Sequence, residues 1–406
     1  MKSLRIFSLL AIFLAFTFLV ACGGGSSSSS SSSTTASNQV IAASGPNVTA
    51  LSVNGGQAGI DYADAAFTSV TVCVPGTTTC QIIPNILVDT GSSGLRILSA
   101  ALSVTLPQQT SGGNPVVECF PFVSGYTWGP VQTADVEMAS EKASAVPIQV
   151  LSDTDFTAPS SCTSEGASSD TLDSLGANGI VGVGLFTQDC GPYCETVQTA
   201  AGDPNLYFEC TSAAACQPIG ESLTQQVPNP VTLFATDNNG VIIELPSVAA
   251  TGEPTVSGSL VFGIGTESNN ALGTATIYTA NDEGNFTTTY SGTVDSASFI
   301  DSGSNGLYFS STITQCGSTS NAPGFYCPTS TENLSATNQG ANGASGTVNF
   351  SIANAVNLFS NDDFAYGNLG GTFSTGDFDW GLPFFFGRNV FTGFQSTTYA
   401  NGYWAY

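Results

Sequence analysis

Two short stretches of this chain place an acid where chemistry is possible. Ile86-Leu87-Val88-Asp89-Thr90-Gly91-Ser92-Ser93-Gly94-Leu95 runs from apolar residues into an aspartate, through a glycine turn, and back to apolar residues. Ser298-Phe299-Ile300-Asp301-Ser302-Gly303-Ser304-Asn305-Gly306-Leu307 repeats the design, and five of seven positions counted from each Asp are identical. A buried strand that delivers a carboxylate to its end must satisfy it by hydrogen bonds. The Thr or Ser, Gly and Ser that follow supply hydroxyls and closely approaching backbone N–H groups. If Asp89 and Asp301 face each other, both cannot easily ionise, and they share a proton. Such a pair can take a proton from water while donating one to a carbonyl oxygen, which is peptide hydrolysis without a covalent intermediate. The chain contains no His. That excludes Ser-His and Cys-His nucleophile pairs, His-ligated zinc and imidazole acid–base chemistry.

The paired turns resemble those of the pepsin-like, two-lobed aspartic proteases, in which each lobe gives one Asp from an Asp-Thr/Ser-Gly-Ser/Thr turn. The chain is also similar to a family of bacterial lipoproteins that carry both motifs. A second shared feature, two apolar residues before a Gly, is read as Ile180-Val181-Gly182 and as Phe385-Phe386-Gly387. The resemblance implies an all-β, bilobal fold, two related β-barrel lobes with a cleft between them, covering residues 47–270 and 271–406. It implies Asp89 and Asp301 as catalytic residues, with Thr90 and Ser302 tying the turns together. Ser92 and Ser304 then bond the outer carboxylate oxygens, and Gly91 and Gly303 shape the turns. It implies neither cofactor nor metal.

Several elements must position these turns. Residues 67–74 and 81–88 read as a hairpin leading to Asp89. Residues 115–139 resemble the flap hairpin that closes over substrate, with Phe122, Ser124, Gly125 and Tyr126 near its tip. The family's flap Tyr aligns best with Phe122, with Tyr126 nearby, and simple strand packing explains these aromatics equally well. Arg96 stands where relatives have a Trp that supports the flap. Residues 161–177 read as a loop, and 230–245 and 258–263 as strands.

Composition fits this picture. Charged residues make up 9% of the chain and Gly is abundant, which suits strands and tight turns better than long surface helices. The net charge of -25 argues against a nucleic-acid partner. With few Lys or Arg to accumulate positive charge in acid, the fold should tolerate low pH.

Residues 1–21 read as an export leader. Lys2 and Arg5 form its charged end, and the apolar stretch is short for a membrane span. Leu19-Val20-Ala21-Cys22 resembles the bacterial lipobox, so Cys22 is the expected lipidated residue, anchored in a membrane of the cell envelope. An outer-membrane address follows by analogy. Residues 22–46 read as a Gly/Ser/Thr tether spanning on the order of 25–30 Å.

Ten cysteines follow Cys22, an even number for an oxidising compartment. Cys73 with Cys80, and Cys316 with Cys327, would staple small loops. Cys119 and Cys162 are a further candidate pair, and Cys190, Cys194, Cys210 and Cys216 would supply two more bonds. Together these readings lead to a monomeric, membrane-anchored aspartic endopeptidase acting on polypeptides at acidic pH. The alternative is a binding or adhesion lipoprotein that uses the same cleft without hydrolysis.

Overall fold

Short runs rich in Val, Ile, Thr and Phe, broken by Gly, Asn and Ser turns, pair into two β-sheets of sixteen and seven strands. The computed structural model describes residues 39, 41–152, 154–199 and 204–406. The expected leader and Cys22 lie outside the described residues. Among the described residues, no helix is long and apolar enough to cross a membrane.

The first lobe is a closed barrel. Its strands run in the order Ala66–Cys73, Cys80–Asp89, Gly179–Val183, Ser93–Leu98, Glu141–Leu151 and Gly125–Met138. Pairing of Thr71 with Glu137 closes the ring. Alternation explains why it holds together. Val70, Val72, Ile86, Val88, Ile97, Val136, Ile148 and Val181 are all buried in one core cluster. The long hairpin of Asn114–Phe122 and Gly125–Met138 rises from this barrel, with Phe122 paired to Gly125 next to its tip.

The second lobe is an open sheet built around Thr293–Ile300, Asp377–Trp380 and Leu307–Phe309. Its core is aromatic. Phe378 stacks on Phe309 at 4.8 Å and on Trp380 at 4.3 Å between ring centroids. Beneath both lobes, Val48–Val53, Val256–Phe262, Gly240–Leu245, Arg388–Gly393, Tyr403–Ala405 and Ile277–Thr279 are consecutive neighbours in the larger sheet. That platform draws strands from both halves of the sequence, so it fixes one lobe against the other. The molecule is therefore an all-β, two-lobed protein with a cleft between the lobes.

Each lobe contains the same crossed motif. In the first, Gly179–Val183 lies parallel to Cys80–Asp89 and antiparallel to Ser93–Leu98, with Asp89 opposite Gly182. In the second, Asp377–Trp380 lies parallel to Thr293–Ile300 and antiparallel to Leu307–Phe309. Ile300 pairs with Trp380, so the next step in register sets Asp301 beside Gly381. Both glycines are required by close approach. A Cβ on Gly182 would lie 2.7 Å from the Ser93 backbone, and one on Gly381 would lie 2.1 Å from Gly306 O.

This register corrects one expectation. The counterpart of Ile180-Val181-Gly182 is Asp379-Trp380-Gly381, not Phe385-Phe386-Gly387. Gly387 instead has φ 75° and turns the chain into the platform strand Arg388–Gly393. Two smaller corrections follow from local chemistry. Residues 161–177 contain two short helices, Ser160–Thr163 and Leu172–Leu175, the second capped reciprocally by Thr171 and Ser174. Pro230–Leu233 is a 3-10 turn rather than a strand, because Asn229 caps Val231 N and Pro230 starts the turn.

Among the described residues, the disulfides Cys73–Cys80, Cys190–Cys194, Cys210–Cys216 and Cys316–Cys327 close short loops, whereas Cys119–Cys162 joins residues 43 apart in sequence.

Candidate active site

The two Asp turns meet where the lobes join. Thr90 Oγ1 accepts from Ser302 N at 3.0 Å and donates to Ile300 O at 3.0 Å. Ser302 Oγ accepts from Thr90 N at 3.1 Å and donates to Val88 O at 2.7 Å. Four reciprocal bonds thus lock one turn to the other, all of them buried and shielded from water.

Each carboxyl is held within its own turn. Gly91 N donates to Asp89 Oδ1 at 2.7 Å, and Ser92 Oγ donates to Asp89 Oδ2. Gly303 N donates to Asp301 Oδ1 at 2.7 Å, and Ser304 Oγ donates to Asp301 Oδ2 at 2.8 Å. The Gly91 amide also reaches Asp301 Oδ1, at 3.1 Å. One amide proton therefore serves an oxygen from each acid, which makes those oxygens neighbours within reach of a common water. Asp89 is 5% exposed, and Asp301 is partly buried. Burial first, then the charges of Asp89 and Asp379, push the Asp301 carboxyl well above the usual carboxylate range. The pair can hold a proton at acidities where a free aspartate has lost it.

The acids open onto a cleft of about 660 Å³ between the lobes. Phe120, Phe122, Val123 and Ser124 of the hairpin line it from one side. Gly125 and Tyr126 belong to the hairpin but not to the cleft. Tyr126 packs with Cys119, Trp128, Cys162 and Phe208 beneath the hairpin, and Gly125 lies against the Ala167 backbone. A hairpin strand turns alternate side chains to opposite faces, so Phe122 and Tyr126 cannot both be assigned from sequence when the tip register is unknown.

Arg96 is fully buried. Its Nη2 donates to Glu118 Oε1 at 2.9 Å and to Asp189 Oδ2 at 3.0 Å, and its guanidinium lies 3.7 Å from the Phe120 ring centroid. Tyr207 Oη donates to Asp189 Oδ1 at 2.8 Å. The guanidinium thus ties the hairpin base, through Glu118 and Phe120, to the segment after Gly182. Charge and stacking together hold the guanidinium in that place.

Three cleft residues were not singled out from sequence. Tyr62 sits near the pair, and burial, with the charges of Asp301 and Asp89, pushes its phenol up to about 12. Tyr308 and Asp379 line the second-lobe side. Tyr308 lies seven residues after Asp301 as Arg96 lies seven after Asp89. That spacing was readable, whereas Asp379 needed the strand register.

Crossed strands in each lobe, reciprocally bonded Asp turns and an interlobe cleft define a two-lobed all-β protein with a pair of acids where its lobes meet. Residues 43–406 match a family described as "Protein of unknown function (DUF3443)", and the chain belongs to it. Comparison with curated proteins finds no match. Among solved structures, the chain is similar to the aspartic proteinase from Irpex lacteus, with a TM-score of 0.47 and 16% identity. That similarity covers 88% of this chain and 96% of the other.

Proposed function

We propose that this protein is an aspartic endopeptidase acting on extended polypeptides at acidic pH. The observation that carries the reading is the Gly91 amide shared by Asp89 Oδ1 and Asp301 Oδ1. It puts two carboxyls on one water-sized site at the floor of a cleft.

In this reading Asp301 carries the proton and Asp89 is the base. Asp89 takes a proton from a bound water as its oxygen attacks the peptide carbonyl carbon, while Asp301 donates its proton to the carbonyl oxygen. The gem-diol then collapses. Its C–N bond breaks, the leaving nitrogen takes the proton held by Asp89, and a hydroxyl proton returns to Asp301. The bonds from Ser92 and Ser304 fix which carboxyl oxygens face the water. The same proposal includes export through residues 1–21 and anchoring of the mature chain by lipid at Cys22, with residues 22–46 as tether. Cys22→Ala is expected to move the protein from the membrane fraction to the soluble fraction.

A second reading rests on the hairpin. Phe122 at the cleft has no hydroxyl to offer a bound peptide, which suits a cleft that binds polypeptide without cutting it. One assay separates the two. Hydrolysis of an unfolded protein at about pH 4, blocked by pepstatin and lost in Asp89→Asn and in Asp301→Asn, supports the peptidase. Binding of the same polypeptide with no hydrolysis supports the second reading, and undiminished hydrolysis in both variants rejects the pair.

A further inference from the structure

The internal repeat supplies its own control. Across the first-lobe motif, Leu87, Ile180 and Arg96 are direct neighbours in register. Across the second, the same row is Phe299, Asp379 and Tyr308. An acid therefore stands where the first lobe has isoleucine. Paired residues on adjacent strands share a face, and Phe299, Asp379 and Tyr308 all line the cleft.

Asp379 is unusual in its bonding as well as its place. It is 3% exposed, and its Oδ1 finds no hydrogen-bond partner among the described residues. A buried polar atom left unpaired is costly, and an apolar side chain in the matching first-lobe position avoids that cost. Burial pushes the Asp379 carboxyl well above its ordinary range, while Ser304 pulls it back.

We propose that Asp379 is a specificity-determining residue of the cleft, and that it receives the cationic side chain, Lys or Arg, of a polypeptide bound across Asp89 and Asp301. The surroundings match such a guest. Phe299, Phe325 and Phe373 line the same side of the cleft, and aromatic faces accept an alkyl stem and a cation. Among the described residues no Lys or Arg lines the cleft, whereas Asp61, Asp173 and Glu283 lie along it. A cationic segment meets no repulsion on entry. On arrival the guest's ammonium or guanidinium bonds the carboxylate, and the proton previously on Asp379 passes to solvent.

The inference rests on the peptidase reading for its kinetic arm only. Cleavage sites in a randomised peptide library are mapped by mass spectrometry, and kcat/KM is compared for paired peptides carrying Lys or norleucine at the selected position. The Lys-to-norleucine ratio is expected to fall at least about tenfold in Asp379→Asn and in Asp379→Ile. The nearly isosteric Asn variant keeps the test valid if the Ile variant does not fold. An unchanged ratio, or no basic preference in the parent, overturns the assignment. If no peptide is cut, the peptidase reading fails and calorimetry on the same peptides decides. Tighter binding of the Lys peptide with proton release, both lost in Asp379→Asn, supports the role of Asp379. Equal binding of the two peptides, or none, overturns it.

Discussion

A carboxyl set beside another carboxyl keeps a proton that water would otherwise remove. At the residue scale, that is the chemical content of the Asp89 and Asp301 turns, and the hydroxyls around them are the reason the geometry holds. Replacing Thr90 with Val leaves the Ser302 amide and the Ile300 carbonyl without the partner they have now. Two buried groups lose their bonds, so stability should fall by about 2–4 kcal/mol in urea unfolding. Asp89→Asn and Asp301→Asn should instead stay folded and lose hydrolysis by about a hundredfold to ten-thousandfold. The turns were legible in sequence because Asp, Gly, Ser, Gly and Leu recur at fixed spacing. Asp379 was not legible, because an acid at the first apolar position hid the second copy of the apolar-apolar-Gly pattern. Phe385-Phe386-Gly387 imitated that pattern nearby, and only the parallel pairing of Ile300 with Trp380 separates the two.

At the scale of elements, the hairpin over the cleft is held at its base by a buried ionic cluster rather than by apolar packing alone. Among the described residues, Arg96 is the only cation in that cluster, facing Glu118 and Asp189. Arg96→Met should cost about 3–5 kcal/mol at neutral pH, since two acids are then buried without a counter-charge. Burial first, then the Glu118 charge, pushes the Asp189 carboxyl well above its ordinary range. The cost should therefore shrink in acid, where Asp189 can be neutral. Comparing urea midpoints of parent and variant at both pH values checks this. The hairpin at residues 115–139 was expected from its resemblance to a flap, and the disulfides Cys73–Cys80, Cys119–Cys162 and Cys316–Cys327 match candidate pairs. The split of Cys190, Cys194, Cys210 and Cys216 into Cys190–Cys194 and Cys210–Cys216 could not be read, since four cysteines in one insertion admit several pairings. The 3-10 turn at Pro230–Leu233 escaped notice because a short apolar run has no clear period.

For the molecule as a whole, charge and proton binding act in the same direction. Asp64, Asp189, Asp301 and Asp379 all sit well above the ordinary aspartate value of 3.8 when folded, chiefly because burial disfavours their charged forms. A folded state that holds protons more tightly than the unfolded chain gains stability that is fully present below the unfolded value. It loses that stability as pH rises through the folded values. A net charge of -25 at pH 7 adds self-repulsion over the same range. The thermal midpoint should therefore be higher near about pH 4 than near about pH 7.5, and a scan by near-ultraviolet circular dichroism tests it. The two-lobed architecture and a sheet beneath both lobes were foreseeable from the resemblance, whereas the full membership of the six-strand platform was not, because it draws strands from distant parts of the sequence. The most direct test of the central claim is a carboxyl carbon-13 NMR titration of protein labelled at its aspartates, with Asp89→Asn and Asp301→Asn used for assignment. Asp301 should keep its proton well above pH 3.8 and release it at lower pH once Asp89 is replaced by Asn. If Asp301 titrates at its ordinary value and ignores the change at residue 89, the two acids do not form a proton-sharing pair.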